Sequence, residues 1–408
     1  MSFHVAIYTD DPDKGGVANY NHQIALGLRQ AGVRVSLVQT ASQSPATRQQ
    51  AEAGVVHEWI GYDTGVDFMR TITDVADAER AFDRLKPDVV LFSDCCPVSN
   101  IAAKHVALSR GLPVFIVVHF VAPYLAERFA KCLPVLGQQY QKANAVVAVS
   151  SDNLSLLHRM FGLPANRGRV IFNGVSPAFF APRDAARGAA LRREFGIPAD
   201  AVVSLTTARL TEVKGHAFQL HALELLRAQQ PKSKLVCVWA GGGELRAALA
   251  AEVAKRNLKN AIFLVGQQSN VSAWLDVADI FTLTSLIEGM PISIMEAMAK
   301  GLPVAATGIS GIPEELGKTG ALLPDPQKQT AGTVTQLAKV WGEWARSPDL
   351  RRRVGEAGRR RADEVFRAET MLAQVCHGLE AAMASSAATT GLAPETASAD
   401  RRLAGFLT

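Results

Sequence analysis

Short runs of consecutive apolar residues, alternating with longer helical patterns, constrain this chain more than any other feature. HVAIYT (4–9), RVSLVQ (34–39), DVVLFS (88–93), VFIVV (114–118) and AVVAVS (145–150) show little apolar/polar alternation. A strand with one face in water alternates, whereas a near-continuous apolar run is covered on both faces. Helical patterns lie around 18–31, 97–110 and 151–161. Strands alternating with helices in this way predict βαβ units and a parallel sheet. After RVIFNGV (169–175) a polar stretch with Pro177, Pro182 and Pro198 reads as a linker. The alternation then restarts with VVSLTT (202–207), KLVCVWA (234–240), AIFLVG (261–266), DIFTLT (279–284) and PVAAT (303–307). The expected fold class is therefore α/β, two Rossmann-like doubly wound domains in series. Ligands of such folds bind beyond the carboxyl ends of the strands, and two facing sets of ends would make a cleft.

The length supports this division, since 408 residues exceed one ordinary core. The domains are placed at 1–172 and 173–365. Residues 327–386 read as wholly helical, and the Ala/Ser/Thr-rich segment 387–408 reads as a flexible tail. Hydrophobic residues at 48% and charged residues at 20% describe a globular chain rather than a disordered one. The opening MSFHVAIYTDDPD has no basic region ahead of a long apolar core, so no secretory signal is expected. LPVFIVVHFVAPYLA is interrupted by His119 and Pro123 and is too short to span a bilayer. Five scattered cysteines, with Cys95 and Cys96 adjacent, suit reduced thiols in a cytoplasmic compartment. The net charge of +5 includes arginine runs at 351–353 and 359–361. These are read as a solvated helical face; nucleic acid or an anionic membrane surface is the minority reading.

Motifs fall where the fold rule puts ligands. TTARLTEVKG places Arg209 at a strand end and Lys214 at the start of the next helix. An arginine fork and a lysine point charge can together hold a diphosphate; the plainer reading is two surface cations on a loop. In SLIEGMPISIMEAMAKGLPVAATGISGIPEEL (285–316), a short loop carries Glu288, Gly289 and Met290, with Pro291 at the first helical position. Backbone N–H groups at that helix start favour phosphate oxygens, and Gly289 permits close approach. Glu296 follows about five residues into the helix, ~8 Å along its axis. An ionised carboxylate there suits a vicinal diol, because it accepts from two hydroxyls. A nucleotide sugar carries a diol on each side of its diphosphate, which matches two glutamates flanking a phosphate-binding helix start. Taken singly, Glu288 is an acid favoured near a helix N-terminus and Glu296 a partly exposed helix residue.

EGMPISIMEAMAKGLPVAATGISGIPEEL resembles the E-x7-E region of the retaining GT-B glycosyltransferases of family GT4. ARLTEVKG, VWAGGGE (238–244), LVGQ (264–267), IFNGVSPAFF (171–180) and the early loop KGGVANY extend the resemblance over most of the chain. It implies that Arg209 and Lys214 bind the donor diphosphate, Glu296 the ribose and Glu288 the transferred sugar. It also implies backbone contacts from Gly289, Met290 and Pro291, a base bordered by Gly266 and Gln267, and an approach of Gly15 and Gly16 to the donor phosphates. His119 would lie near the reacting sugar, or serve as a core histidine capping a strand. Residues 1–172 would then be the acceptor domain and 173–365 the donor domain. A helix at 366–386 would cross back to the first domain.

The acceptor half departs from the family pattern. Asp94-Cys95-Cys96 stands where a histidine is frequent, and Phe120 follows His119, so the acceptor cannot be borrowed from other members. Asp11-Pro12-Asp13 has the spacing of a DxD metal site, yet in a first βα loop it more plainly shapes a turn. No metal or cofactor is expected, since two cations and a helix start can stabilise a leaving diphosphate. The reading is a retaining glycosyltransferase that uses a nucleotide-sugar donor and a carbohydrate or lipid-linked acceptor. By resemblance it acts in bacterial envelope polysaccharide or glycolipid synthesis, in the cytoplasm or at the inner face of the membrane. Nucleic acid is not an expected partner, and any membrane association would be weak and peripheral. The alternatives are a nucleotide-sugar epimerase on the same scaffold and a non-catalytic nucleotide-sugar-binding subunit.

Overall fold

A computed structural model describes residues 3–13 and 15–389. They form two compact units, one holding the chain up to Gly174 together with that from Ala368, the other Val175–Arg367. The sequence boundaries at 172/173 and 365/366 compare with these unit boundaries at 174/175 and 367/368.

In the first unit the strands are β1 (His4–Thr9), β2 (Arg34–Thr40), β3 (Val56–Ile60), β4 (Val89–Asp94), β5 (Val114–Val118), β6 (Ala145–Ala148) and β7 (Arg169–Val170). They pair in parallel in the order 3-2-1-4-5-6-7. The order reverses between β1 and β4, which creates a crevice at their carboxyl ends. The apolar runs are buried as their sequence requires, with Val5, Ala6, Ile7, Val89, Val90, Leu91 and Phe92 all inaccessible. β3 departs from the apolar-run pattern of the other strands. Its sequence VHEWI mixes polar and apolar residues because it lies at the sheet edge, where Val56 and Trp59 are exposed and Glu58 pairs with Arg84 at 3.1 Å.

The region read as one helical stretch is three helices, Thr330–Arg346, Pro348–Val365 and Ala368–Thr389. The last packs on the Gly16–Gln30 helix, β4 and β5. Two glycines permit that approach: a Cβ at Gly27 would lie 2.4 Å from Leu372 Cδ2, and one at Gly378 would lie 2.4 Å from the Phe115 ring. Asn144 Nδ2 donates to Ala382 O at 3.1 Å. Of the expected tail, 390–408 lies outside the described residues.

In the second unit, β8 (Val202–Thr207), β9 (Leu235–Ala240), β10 (Ile262–Gly266), β11 (Ile280–Leu283), β12 (Val304–Thr307) and β13 (Ala321–Leu323) pair in parallel in the order 10-9-8-11-12-13. The reversal here falls between β8 and β11. A buried amide ties the strand ends beneath it. Gln219 Oε1 accepts from Trp239 Nε1 at 2.9 Å, while Gln219 Nε2 donates to Thr206 Oγ1 at 2.9 Å and Thr284 Oγ1 at 3.1 Å. Gln219→Leu leaves an indole N–H and two hydroxyls short of partners. The expected loss is ~3 kcal/mol, read from the denaturant midpoint of the tryptophan-fluorescence transition. A midpoint within ~0.5 kcal/mol of the parent would show that the network holds nothing.

The arginine runs are not simply a solvated face. Arg359 Nη1 donates to Ala299 O at 2.7 Å, Arg361 Nε to Glu315 O at 2.8 Å and Nη2 to Glu314 O at 2.6 Å. They satisfy carbonyls at the ends of other helices, which is where cations are favoured. No helix among the described residues is long and apolar enough to cross a membrane.

Candidate functional site in the second unit

Close backbone packing builds the site. After β8 the chain runs along the Gly241–Gly243 loop, with Leu210 N donating to Gly242 O at 2.7 Å. A Cβ at Gly241 would fall 1.9 Å from Ala208 O, so any side chain there would drive the two loops apart. This holds Arg209 exposed, and it makes no ion pair among the described residues. A single turn at Glu212–Lys214 follows, then Gly215 at φ 63. A Cβ at Gly215 would sit 2.0 Å from Thr284 O, so glycine is required on both grounds. That contact presses Lys214 onto the end of β11, and Leu286 N donates to Val213 O at 2.8 Å.

The two loops meet at Glu288. Its Oε1 takes Lys214 Nζ at 2.5 Å and the Ser285 hydroxyl at 2.5 Å. The sequence assigns Lys214 and Glu288 separate partners; in the structure they hold each other. The Glu288 N–H donates to Ser310 Oγ at 3.4 Å and Gly311 N to Gly289 O at 3.0 Å. Pro291 precedes the Ile292–Ala299 helix, with an extended ψ of 111, rather than opening it. Glu296 is the fifth helical residue and is 7% exposed. Burial without a compensating charge raises its carboxyl to about 8, so it carries a proton at neutral pH. The sequence reading had it ionised. Glu315 is fully buried, and burial together with the nearby Glu288 charge holds its carboxyl far above the usual range. Neither that acid nor Ser285 was singled out from the sequence; no local pattern marks them, because their neighbours are distant in the chain. Gly266, at φ 77, ends β10, and Gln267 is exposed, with its Cβ 3.6 Å from where a Cβ on Gly242 would be. The structure thus brings Lys214 and Ser285 together on Glu288 and puts Gln267 beside the Gly241–Gly243 loop, which in turn packs on the loop that carries Arg209.

The first unit has its own polar crevice at the ends of β1, β4 and β5. Gly15 (φ 100) and Gly16 open the first helix with empty space where their side chains would be. Asp13 is bonded to the Ser42 hydroxyl and to Thr47 Oγ1 at 3.1 Å, while Asp11 lies near Cys95 Sγ at 3.8 Å. No group of three metal-binding side chains occurs among the described residues. His119 is 7% exposed and its Nε2 lies 2.9 Å from Ser93 Oγ, with the Tyr20 ring edge-on at 4.5 Å between centroids. Burial lowers it to about 3, so the imidazole is neutral and offers a hydrogen bond rather than a proton. Asp94 pairs with Lys104 at 2.7 Å, both wholly buried. Burial raises Asp94 to about 6 against the pull of that ammonium.

Two family models match, Glycosyltransferase Family 4 over residues 14–179 and Glycosyl transferases group 1 over 201–339. The chain belongs to the GT4-type glycosyltransferase family and has the GT-B fold of two Rossmann-like domains. It is similar to the amylovoran biosynthesis glycosyltransferase AmsK of Erwinia amylovora, with 38% identity over 32% of this chain and 34% of that one. It is also similar to a D-inositol 3-phosphate glycosyltransferase of Streptomyces scabiei, with 28% identity over 60% and 56%. The match thus spans about a third to a half of these relatives' length. Among solved structures, HepE of Anabaena in complex with UDP-glucose superimposes with a TM-score of 0.76, at 18% identity over 93% of this chain and 99% of that one.

Proposed function

We propose that this protein is a retaining glycosyltransferase that moves a sugar from a nucleotide diphosphate sugar to an acceptor hydroxyl, in polysaccharide or glycolipid synthesis. The observation that carries the reading is the Lys214–Glu288 pair at the point where the second sheet reverses its strand order. A cation and a carboxylate lie together where a doubly wound fold takes its ligand.

Arg209 and Lys214 bind the diphosphate, and its charge draws Lys214 from Glu288. Gly289, Met290 and Pro291 line the phosphates, Gly266 and Gln267 border the base, and Glu296 takes the ribose hydroxyls. Glu288 holds the transferred sugar. The acceptor oxygen bonds to the anomeric carbon as the bond from that carbon to the phosphate oxygen breaks. The acceptor proton passes to the departing phosphate on the same face, so configuration is retained. Orientation and charge stabilisation are the protein's main contributions. In the first unit, Gly15 and Gly16 leave room for a phosphate and the neutral His119 offers a hydrogen bond to a sugar hydroxyl.

The test incubates the chain with UDP-glucose, UDP-N-acetylglucosamine, GDP-mannose and ADP-glucose, with and without oligosaccharide or polyprenyl-phosphate-linked acceptors. Release of nucleotide diphosphate that increases with acceptor is expected. Interconversion of donor without acceptor would establish an epimerase, and binding without turnover a non-catalytic subunit. Two cations suffice for the leaving group, so EDTA is expected to leave the rate unchanged. Loss of activity with chelator and its return with Mn²⁺ would restore the metal reading of Asp11 and Asp13.

A further inference from the structure

Ser285 follows β11 and is wholly inaccessible. Its hydroxyl donates to Glu288 Oε1 at 2.5 Å, and its carbonyl accepts from Thr307 Oγ1 at 2.7 Å, fixing it to the end of β12. The Glu288 backbone N–H is turned to Ser310 Oγ. Both side-chain bonds to Glu288 fall on Oε1, which leaves Oε2 for another donor. We propose that Ser285 is the positioning residue of Glu288, holding its carboxylate on the transferred sugar once the donor diphosphate has drawn Lys214 away. The proposal rests on the reading of Glu288 as the sugar contact.

The physical need is specific. An arriving diphosphate carries more charge than one carboxylate and competes for the Lys214 ammonium. Glu288 then loses one of its two donors. A carboxylate on a three-bond side chain with no fixed partner samples several rotamers. The Ser285 hydroxyl is buried, anchored and already in place, so the carboxylate keeps its direction, with Oε2 toward a sugar hydroxyl.

The experiment compares Ser285→Ala, Ser285→Thr and Glu288→Gln in the full chain. It uses whichever donor of the four above gives the fastest nucleotide release, with UDP, GDP or ADP as the matching binding probe. Ser285→Ala is expected to lower kcat by about tenfold to a hundredfold, with KM for the donor and Kd for the free nucleotide unchanged and Tm lowered by only a few degrees. Ser285→Thr restores the hydroxyl and most of the rate. In the Glu288→Gln background, Ser285→Ala adds little, as expected of residues acting as one unit. A parental kcat for Ser285→Ala beside an inactive Glu288→Gln would overturn the positioning role alone. So would a parallel loss of nucleotide binding, rate and Tm, which marks a merely structural hydroxyl. Full activity of Glu288→Gln would overturn the sugar-contact reading and this proposal with it.

Discussion

Glu288→Gln should lower kcat by about 10²-fold or more, roughly 3 kcal/mol of transition-state stabilisation, while free nucleotide diphosphate binds as well as before or more tightly. The amide keeps the shape of the side chain and removes the charge that favours sugar hydroxyls and the positive charge developing at the anomeric carbon. The gain in nucleotide affinity comes from the pairing of Glu288 with Lys214. Glu288 holds Lys214 at 2.5 Å, and a neutral amide releases that ammonium to the phosphates. Stopped-time assays for kcat and calorimetry for the nucleotide measure the two effects separately. A kcat within about twofold of the parent would remove Glu288 from the sugar.

The second large effect is a pH dependence that runs opposite to the usual carboxylate case. Glu296 is raised from 4.5 to about 8 by burial, so the folded chain holds a proton that the unfolded chain releases. Stability contributed by such a group is full below the unfolded value, and it falls as pH rises from about 4.5 to about 8. The slope is up to ~1.4 kcal/mol per pH unit, levelling off above that range. Glu296→Gln abolishes this slope, so the stability difference between variant and parent should widen in favour of the glutamine by several kcal/mol between pH 5 and pH 8. Glu315, raised in the same direction, remains in both proteins and cancels in the difference. Denaturant unfolding at a series of pH values is the measurement, and parallel curves would show that Glu296 titrates normally. Glu296→Ala should also weaken both free nucleotide and full donor, because the ribose is common to both. Unchanged nucleotide affinity would leave it a helix residue only.

What could be read in advance follows from where information sits in the chain. β1, β2, β4, β5 and β6 were legible because each is buried on both faces and therefore continuous in apolar sequence. β3 was not, since its edge position admits His57 and Glu58 and its partners Arg80 and Arg84 lie on a later helix. The loops with Arg209, Lys214 and Glu288 were legible because glycine and proline punctuate them at strand ends. Gln219 and Ser285 look like ordinary polar residues locally, and only the meeting of β8, β9 and β11 gives them their work. The protonation of Glu296 was hidden for a related reason: its charge state depends on burial by elements more distant in sequence than any motif spans.

The Ala368–Thr389 helix belongs to the unit built from the start of the chain, with Leu372 over Gly27 and Gly378 against Phe115. During synthesis the ribosome therefore delivers the first unit's sheet early and its covering helix last, after the whole of Val175–Arg367. The domain begun first is the one finished last. Until then the apolar surface of β4 and β5 that this helix covers stays open, and exposed surface of that kind is prone to aggregate for as long as the middle of the chain takes to emerge.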